Sequence, residues 1–159
     1  MEHTNQRGCV SMDVNRSVEF VLELLGNQMP FNQHLGLTRD VFDAETGCIR
    51  FPWRDEYMGN PVVKIMHGGV ISTILDLEGA FTVLLQLASS STLPALKEKM
   101  QKGGTIDLRV DYLLPGKGRH FVASGQILRM GKKVTVVRME LHNDEQHLIA
   151  VGTGTYLNE

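Results

Sequence analysis

From Gly68 to about Ala88 the chain carries no strong turn former except Gly79, and it is apolar around most of its circumference. Such a stretch is a helix that water cannot solvate on any side, so the rest of the chain must cover it. At about 100° per residue, Gly69, Ser72, Thr73, Asp76, Gly79, Ala80 and Val83 fall on one side of this helix, with Ile71, Ile74, Phe81 and Leu85 opposite. The bulky stripe suits a sheet. The small stripe lets a second backbone or a ligand come close, and Asp76 sits in its middle.

The C-terminal third of the chain supplies the cover. Ile106, Leu108, Val110 and Tyr112 alternate with Asp107, Arg109 and Asp111, and Phe121 to Leu128, Val134 to Leu141 and Leu148 to Tyr156 are further runs of strand character. Turns at 115–118, 130–132 and 143–145 separate them and imply antiparallel neighbours. Ahead of the helix, the alternation at Leu35, Leu37 and Val41, a turn over 43–47 and an extended Cys48 to Trp53 predict a hairpin. Residues 54–66 contain Gly59-Asn60-Pro61 without a period and read as a loop delivering the chain to His67. Val18, Val21, Leu22 and Leu25 mark one face of an amphipathic helix stopped at Gly26-Asn27, and a short exposed helix is expected over Ala95 to Lys102. The expected fold is α+β, a curled antiparallel sheet wrapped around a long central helix.

Length and charge narrow the function. A chain of 159 residues has room for one domain, read as a tail and amphipathic helix over 1–34 followed by the main body over 35–159. The first dozen residues are polar and expected to be loose. A net charge of -2 gives no field for coating nucleic acid, so DNA and RNA are discounted. Cys9 and Cys48 lack the paired spacing of a zinc or redox site and read as free thiols, and no metal is expected. No leader is visible and no stretch approaches a membrane span, so a cytoplasmic protein without membrane contact is the expectation.

The chemistry concentrates in His67-Gly68-Gly69 and in Asp76, nine residues after His67. Paired glycines opening a helix let a ligand approach the backbone, and first-turn amides have no acceptors within the helix. A carbonyl oxygen gaining charge in acyl transfer would be stabilised by the Gly68 amide and the positive end of the helix dipole. A carboxylate inside an apolar helix loses hydration, which marks Asp76 for a partner or a task. Helix rise separates Gly68 from Asp76 by about 12 Å, so one substrate atom cannot touch both. If they cooperate, they come from two copies packed antiparallel across a two-fold axis. Glu78, about 200° round the helix from Asp76, is the rival carboxylate and should be buried in a polar contact with sheet or loop.

The run His67-Gly68-Gly69-Val70-Ile71-Ser72-Thr73-Ile74-Leu75-Asp76 resembles the signature of the hotdog-fold acyl-CoA thioesterases, in the branch of phenylacetic-acid-degradation enzymes. The likeness extends from about Leu35 to Tyr156. It implies hydrolysis of an acyl-CoA thioester to CoA and a carboxylic acid without a further cofactor, by a homodimer or a tetramer built of dimers. It implies Asp76 as base or nucleophile, donated by the other subunit, with the Gly68 amide on the thioester carbonyl and His67 beside it. Family members place an Asn or Gln six residues before the histidine, whereas Asn60 lies seven before and is the candidate for positioning water. Thr105 aligns with a hydroxyl that assists the water in some members. Gly69 allows close approach of substrate, and Arg129, Lys132 and Lys133 cluster at a turn that could meet the CoA phosphates. The alternatives are a non-catalytic acyl-CoA binder and an enoyl thioester hydratase or dehydratase, although the His-Phe-Pro-Gly motif of that branch is absent.

Overall fold

A computed structural model describes residues 6–159, with side chains from Met12 onward. In chain order it comprises α1 (Gln6–Glu23), widening into a π-helical turn at Leu24–Gln28; α2 (Pro30–His34); a 3-10 turn at Arg39–Val41; β1 (Phe42–Asp43) and β2 (Cys48–Pro52); and a 3-10 turn at Asp55–Tyr57. Then come β3 (Met58–Asn60), β4 (Ile65–Met66), α3 (Gly68–Ser90), α4 (Leu93–Lys102), β5 (Gly104–Tyr112), β6 (His120–Met130), β7 (Val134–Asn143) and β8 (Leu148–Leu157).

The long apolar helix is α3, and the sheet covers it as its composition requires. Ile71, Ile74, Leu75 and Phe81 are buried, each contributing about 1.5–3 kcal/mol by leaving water. Gly69, Ser72, Thr73 and Asp76 on the small stripe keep partial or full exposure. β1, β2, β6, β7, β8 and β5 form one six-stranded antiparallel sheet in that order. Strands near both of its edges, β2 and β5, touch α3, so the sheet curves around the helix. α3 is also long and apolar enough to cross a bilayer, contrary to the expectation that no stretch approaches that length; more than half of its most apolar window is buried inside the fold, as befits a core helix.

Further sequence expectations change. β5 is not beside β6, despite the turn residues between them. It pairs with β8, because residues 113–119 cross the end of the sheet: the amides of Leu113 and Leu114 donate to the Ile149 carbonyl, and Gly116 O accepts from Met66 N. The hairpin before α3 forms, but its first arm shrinks to Phe42–Asp43. Leu37 N donates to Asn32 O and Val41 N to Thr38 O, which bends residues 35–41 into turns. The segment before His67 contains a small ribbon, β3 with β4, closed at Lys64 with φ 50.

Another change is at the N-terminus, where polarity predicts a loose first dozen residues. Residues 1–5 and the Cys9 side chain lie outside the described residues, and from Gln6 the chain is already α1. Its buried residues include Ser17, Val21 and Leu22, and Leu25 of the π-turn continues the same face, so the predicted face is right and the helix starts earlier. α1 packs against α3 and α4, with Lys97 over the Phe20 ring at 4.7 Å. α4 buries Leu96 completely and is therefore only partly exposed.

Candidate active site

The start of α3 is organised by one residue. His67 takes an extended conformation (φ -64, ψ 135), and its Nδ1 accepts the Gly69 amide at 2.8 Å as the N-cap. Its carbonyl accepts the amides of Val70 and Ile71 at 3.0 and 3.2 Å. Three of the four amides that open the helix are thereby satisfied by His67. The Gly68 amide is the fourth, and no acceptor for it is found among the described residues. Because Nδ1 accepts, the neutral ring carries its proton on Nε2. The Tyr112 hydroxyl donates to Gly68 O at 3.0 Å and ties β5 to this end of the helix.

Asp76 lies eight residues further along the same unbroken helix, about 12 Å away by helix rise. Thr105, at the start of β5, donates its hydroxyl to Asp76 Oδ1 at 2.9 Å. Tyr156 Oη donates to the Asp76 carbonyl at 3.2 Å. Burial, then the charge of Asp76, pushes the Tyr156 phenol above its usual range, so it remains a donor. That ring reaches α3 only because Gly79 and Gly154 lack side chains: a Cβ at Gly79 would collide with the Tyr156 hydroxyl, and one at Gly154 would lie 2.6 Å from it.

Thr105 and Tyr156 also line an apolar cavity of about 200 Å³. Ala80, Val83, Leu84 and Leu87 of α3 form one wall, continuing the helix from Asp76 away from Gly68. The π-turn, Met29 and the end of α4 supply further lining. A carboxylate held by one hydroxyl group that also lines an apolar cavity can take a proton from water or attack a carbonyl carbon.

Glu78 points elsewhere. It is fully buried against the sheet, where Oε2 accepts the Ile49 amide at 3.1 Å and Oε1 the Thr82 hydroxyl at 3.2 Å, as the helical rotation predicts. Burial pushes its carboxyl up to about 9, so at neutral pH it is an uncharged structural group.

Thr105 and Asp76 are thus brought together within one chain, while Gly68 and His67 are held apart from them. Gly69 has its amide committed to His67. Asn60 sits on the ribbon just before His67, but its Oδ1 accepts the Val62 amide at 3.0 Å in an Asx turn. The Arg129 to Lys133 turn lies at the end of the sheet where Thr105 and Thr135 both pair with Tyr156. There Lys133 is 3.0 Å from Glu159, while Arg129 and Lys132 are exposed without an ion-pair partner among the described residues. Tyr112 and Tyr156 escaped the sequence reading. The signal for Tyr156 was the glycine pair Gly79 and Gly154, a gap on helix and strand that an aromatic ring fills.

Comparisons with known proteins bear on the family and the fold. Residues 64–150 match the model of the family described as the Thioesterase superfamily. The chain is 39% identical over 149 residues to the medium/long-chain acyl-CoA thioesterase YigI of Escherichia coli K12, covering 92% of this chain and 96% of that one. A crystal structure from Shewanella oneidensis, described as related to the thioesterase superfamily, is 38% identical with a TM-score of 0.83, covering 92% of this chain and 97% of that one. The BH2602 protein of Bacillus halodurans, determined with CoA, shares the fold at a TM-score of 0.64 and 21% identity, covering 98% of this chain and 91% of that one.

Proposed function

The chain belongs to the thioesterase superfamily and has the hotdog fold, and from that premise we propose that it hydrolyses medium- to long-chain acyl-CoA thioesters in a site shared by two copies of the chain. The observation that carries the reading is that Thr105, whose hydroxyl donates to the Asp76 carboxylate, itself lines an apolar cavity. The acyl chain lies in the cavity and the thioester stands at Asp76. The carboxylate acts as general base on water, whose hydroxide displaces the CoA thiolate, or it attacks the carbonyl carbon itself, expelling the CoA thiolate to leave an anhydride that water hydrolyses to the carboxylic acid and free Asp76. The developing oxyanion is held by the unspent Gly68 amide, strengthened by the α3 dipole. His67 builds that donor by consuming the neighbouring amides.

Two chains are needed because Asp76 and Gly68 lie about 12 Å apart on one helix. β5 supports the same conclusion. It is an edge strand of nine residues with Ile106 and Tyr112 both 54% exposed, an open edge that soluble proteins normally cover or pair. Near its start Thr105 touches Asp76, and at its end Tyr112 touches Gly68. A two-fold axis near its middle exchanges these ends and brings Asp76 of one copy to Gly68 of the other. Asp107 and Arg109 then offer each other opposite charges across the pair of strands. Arg129 and Lys132 are the candidate contacts for the CoA phosphates.

The test is release of free thiol from a panel of acyl-CoA substrates, with Asp76→Ala alongside. Turnover by the native chain and its loss in the variant are expected; full activity in Asp76→Ala defeats the assignment. Thermal stabilisation by acyl-CoA with no turnover at any chain length would instead make the protein a binder.

A further inference from the structure

The cavity beside Asp76 has two walls of different origin. One is α3 itself, with Leu84 and Leu87 two and three turns beyond Asp76. The other is built outside the helix-and-sheet body, from Leu24 in the π-turn, Met29 just after it, and Met100 in α4. The π-turn is held in place. A π-turn displaces the regular hydrogen-bond ladder, and the buried Asn32 side chain donates Nδ2 to Leu25 O at 2.8 Å. Gly26 lies so close to the backbone of Arg39 that any Cβ there would overlap it. The turn is therefore a built feature that pins Leu24 and Leu25 against the cavity. Met29 and Met100 in the same wall are unbranched and adaptable, the side chains best suited to lining a channel for a flexible hydrocarbon.

Resting on the hydrolase reading, we propose that this second wall, the π-turn with Met29 and the end of α4, is the acyl-length gauge of the enzyme, and that Met100, which lines the cavity together with Leu84, sets how long a chain is accepted. The occupant is the unbranched alkyl tail of the substrate itself. The cavity is apolar and continues from the site of bond cleavage through the shared residues Thr105 and Tyr156. Each methylene it buries favours the longer substrate by roughly fourfold, so filling the cavity must cost long substrates more than short ones.

The experiment is kcat/KM for hexanoyl-CoA, decanoyl-CoA and palmitoyl-CoA with the native chain, Leu84→Trp, Met100→Trp and Met100→Ala. Both tryptophan variants should lower the palmitoyl-to-hexanoyl ratio by at least about tenfold while hexanoyl turnover is retained, because the blocked length removes several methylenes from the cavity. Met100→Ala should raise that ratio. Two tryptophans on different walls keep the test decisive if one variant fails to fold, since retained hexanoyl turnover certifies the other. Equal changes at every chain length, or none, overturn the gauge while leaving the hydrolase reading intact. A native chain that cleaves none of the three substrates overturns the hydrolase reading and the gauge with it.

Discussion

Asp76 and Glu78 stand two residues apart on one helix and live in opposite environments. Asp76 faces the open small stripe, with Thr105 on its carboxylate and a cavity beside it. Glu78 faces the sheet, without solvent exposure, bonded to Ile49 N and Thr82 and pushed up to about 9. The rotation of about 200° between them separates a carboxylate available for chemistry from one that closes a buried hydrogen-bond deficit. A carboxylate in an apolar helix is therefore not in itself a catalytic signal. Both accept from a threonine hydroxyl, and what distinguishes the two is which face also carries small residues and space.

The comparison breaks most sharply in activity. Asp76→Asn should lower kcat by about 10²- to 10⁴-fold, the usual contribution of a positioned base, while Glu78→Gln should leave kcat within a small factor; steady-state thiol release checks both. Equal losses in the two would erase the distinction. Gly68→Pro should cost about 10²- to 10³-fold in kcat by deleting the oxyanion donor. Proline suits a first helical position and the extended His67 before it, and Gly68→Ala, which keeps the N–H, is the control.

Glu78→Leu should destabilise by about 1–3 kcal/mol, because it leaves the Ile49 amide unpaired, and urea unfolding measures this. The raised carboxyl also predicts a pH dependence. Its folded value near 9 exceeds the ordinary 4.5, so the stability it contributes is complete below 4.5 and is lost progressively as pH rises toward 9. The melting temperature should fall across that window, and Glu78→Gln should flatten the fall. The smallest effect belongs to His67→Ala, which removes the Nδ1 cap and should cost about 1 kcal/mol, with His67→Asn recovering most of it.

Much of this was legible in the sequence, for reasons that differ by region. α3 declared itself through uninterrupted apolarity, and the assignment of Asp76 and Glu78 to opposite faces followed from helical rotation alone. β6, β7 and β8 followed from alternation with short turns. The place of β5 did not, because strand order depends on how residues 113–119 cross the sheet end, a matter of bonds to Ile149 and Met66 that no local pattern announces. Leu35 to Val41 imitated a strand because buried turn residues can alternate too. Polar residues concealed the start of α1, which begins at Gln6. Thr105 was found through the family resemblance, whereas Tyr156 was missed, since its relation to Asp76 exists only when Gly79 and Gly154 meet in space.

The central claim is that Asp76 and Gly68 work together only across two copies of the chain, and mixing two dead variants tests it most directly. Asp76→Asn and Gly68→Pro, each inactive alone, are coexpressed with different tags, and the doubly tagged dimers are assayed. Each mixed dimer holds one site with both defects and one with neither, so about half of native activity per dimer should return. Mixed dimers that form and remain as inactive as their parents would contradict the account, because the two groups would then belong to the same chain.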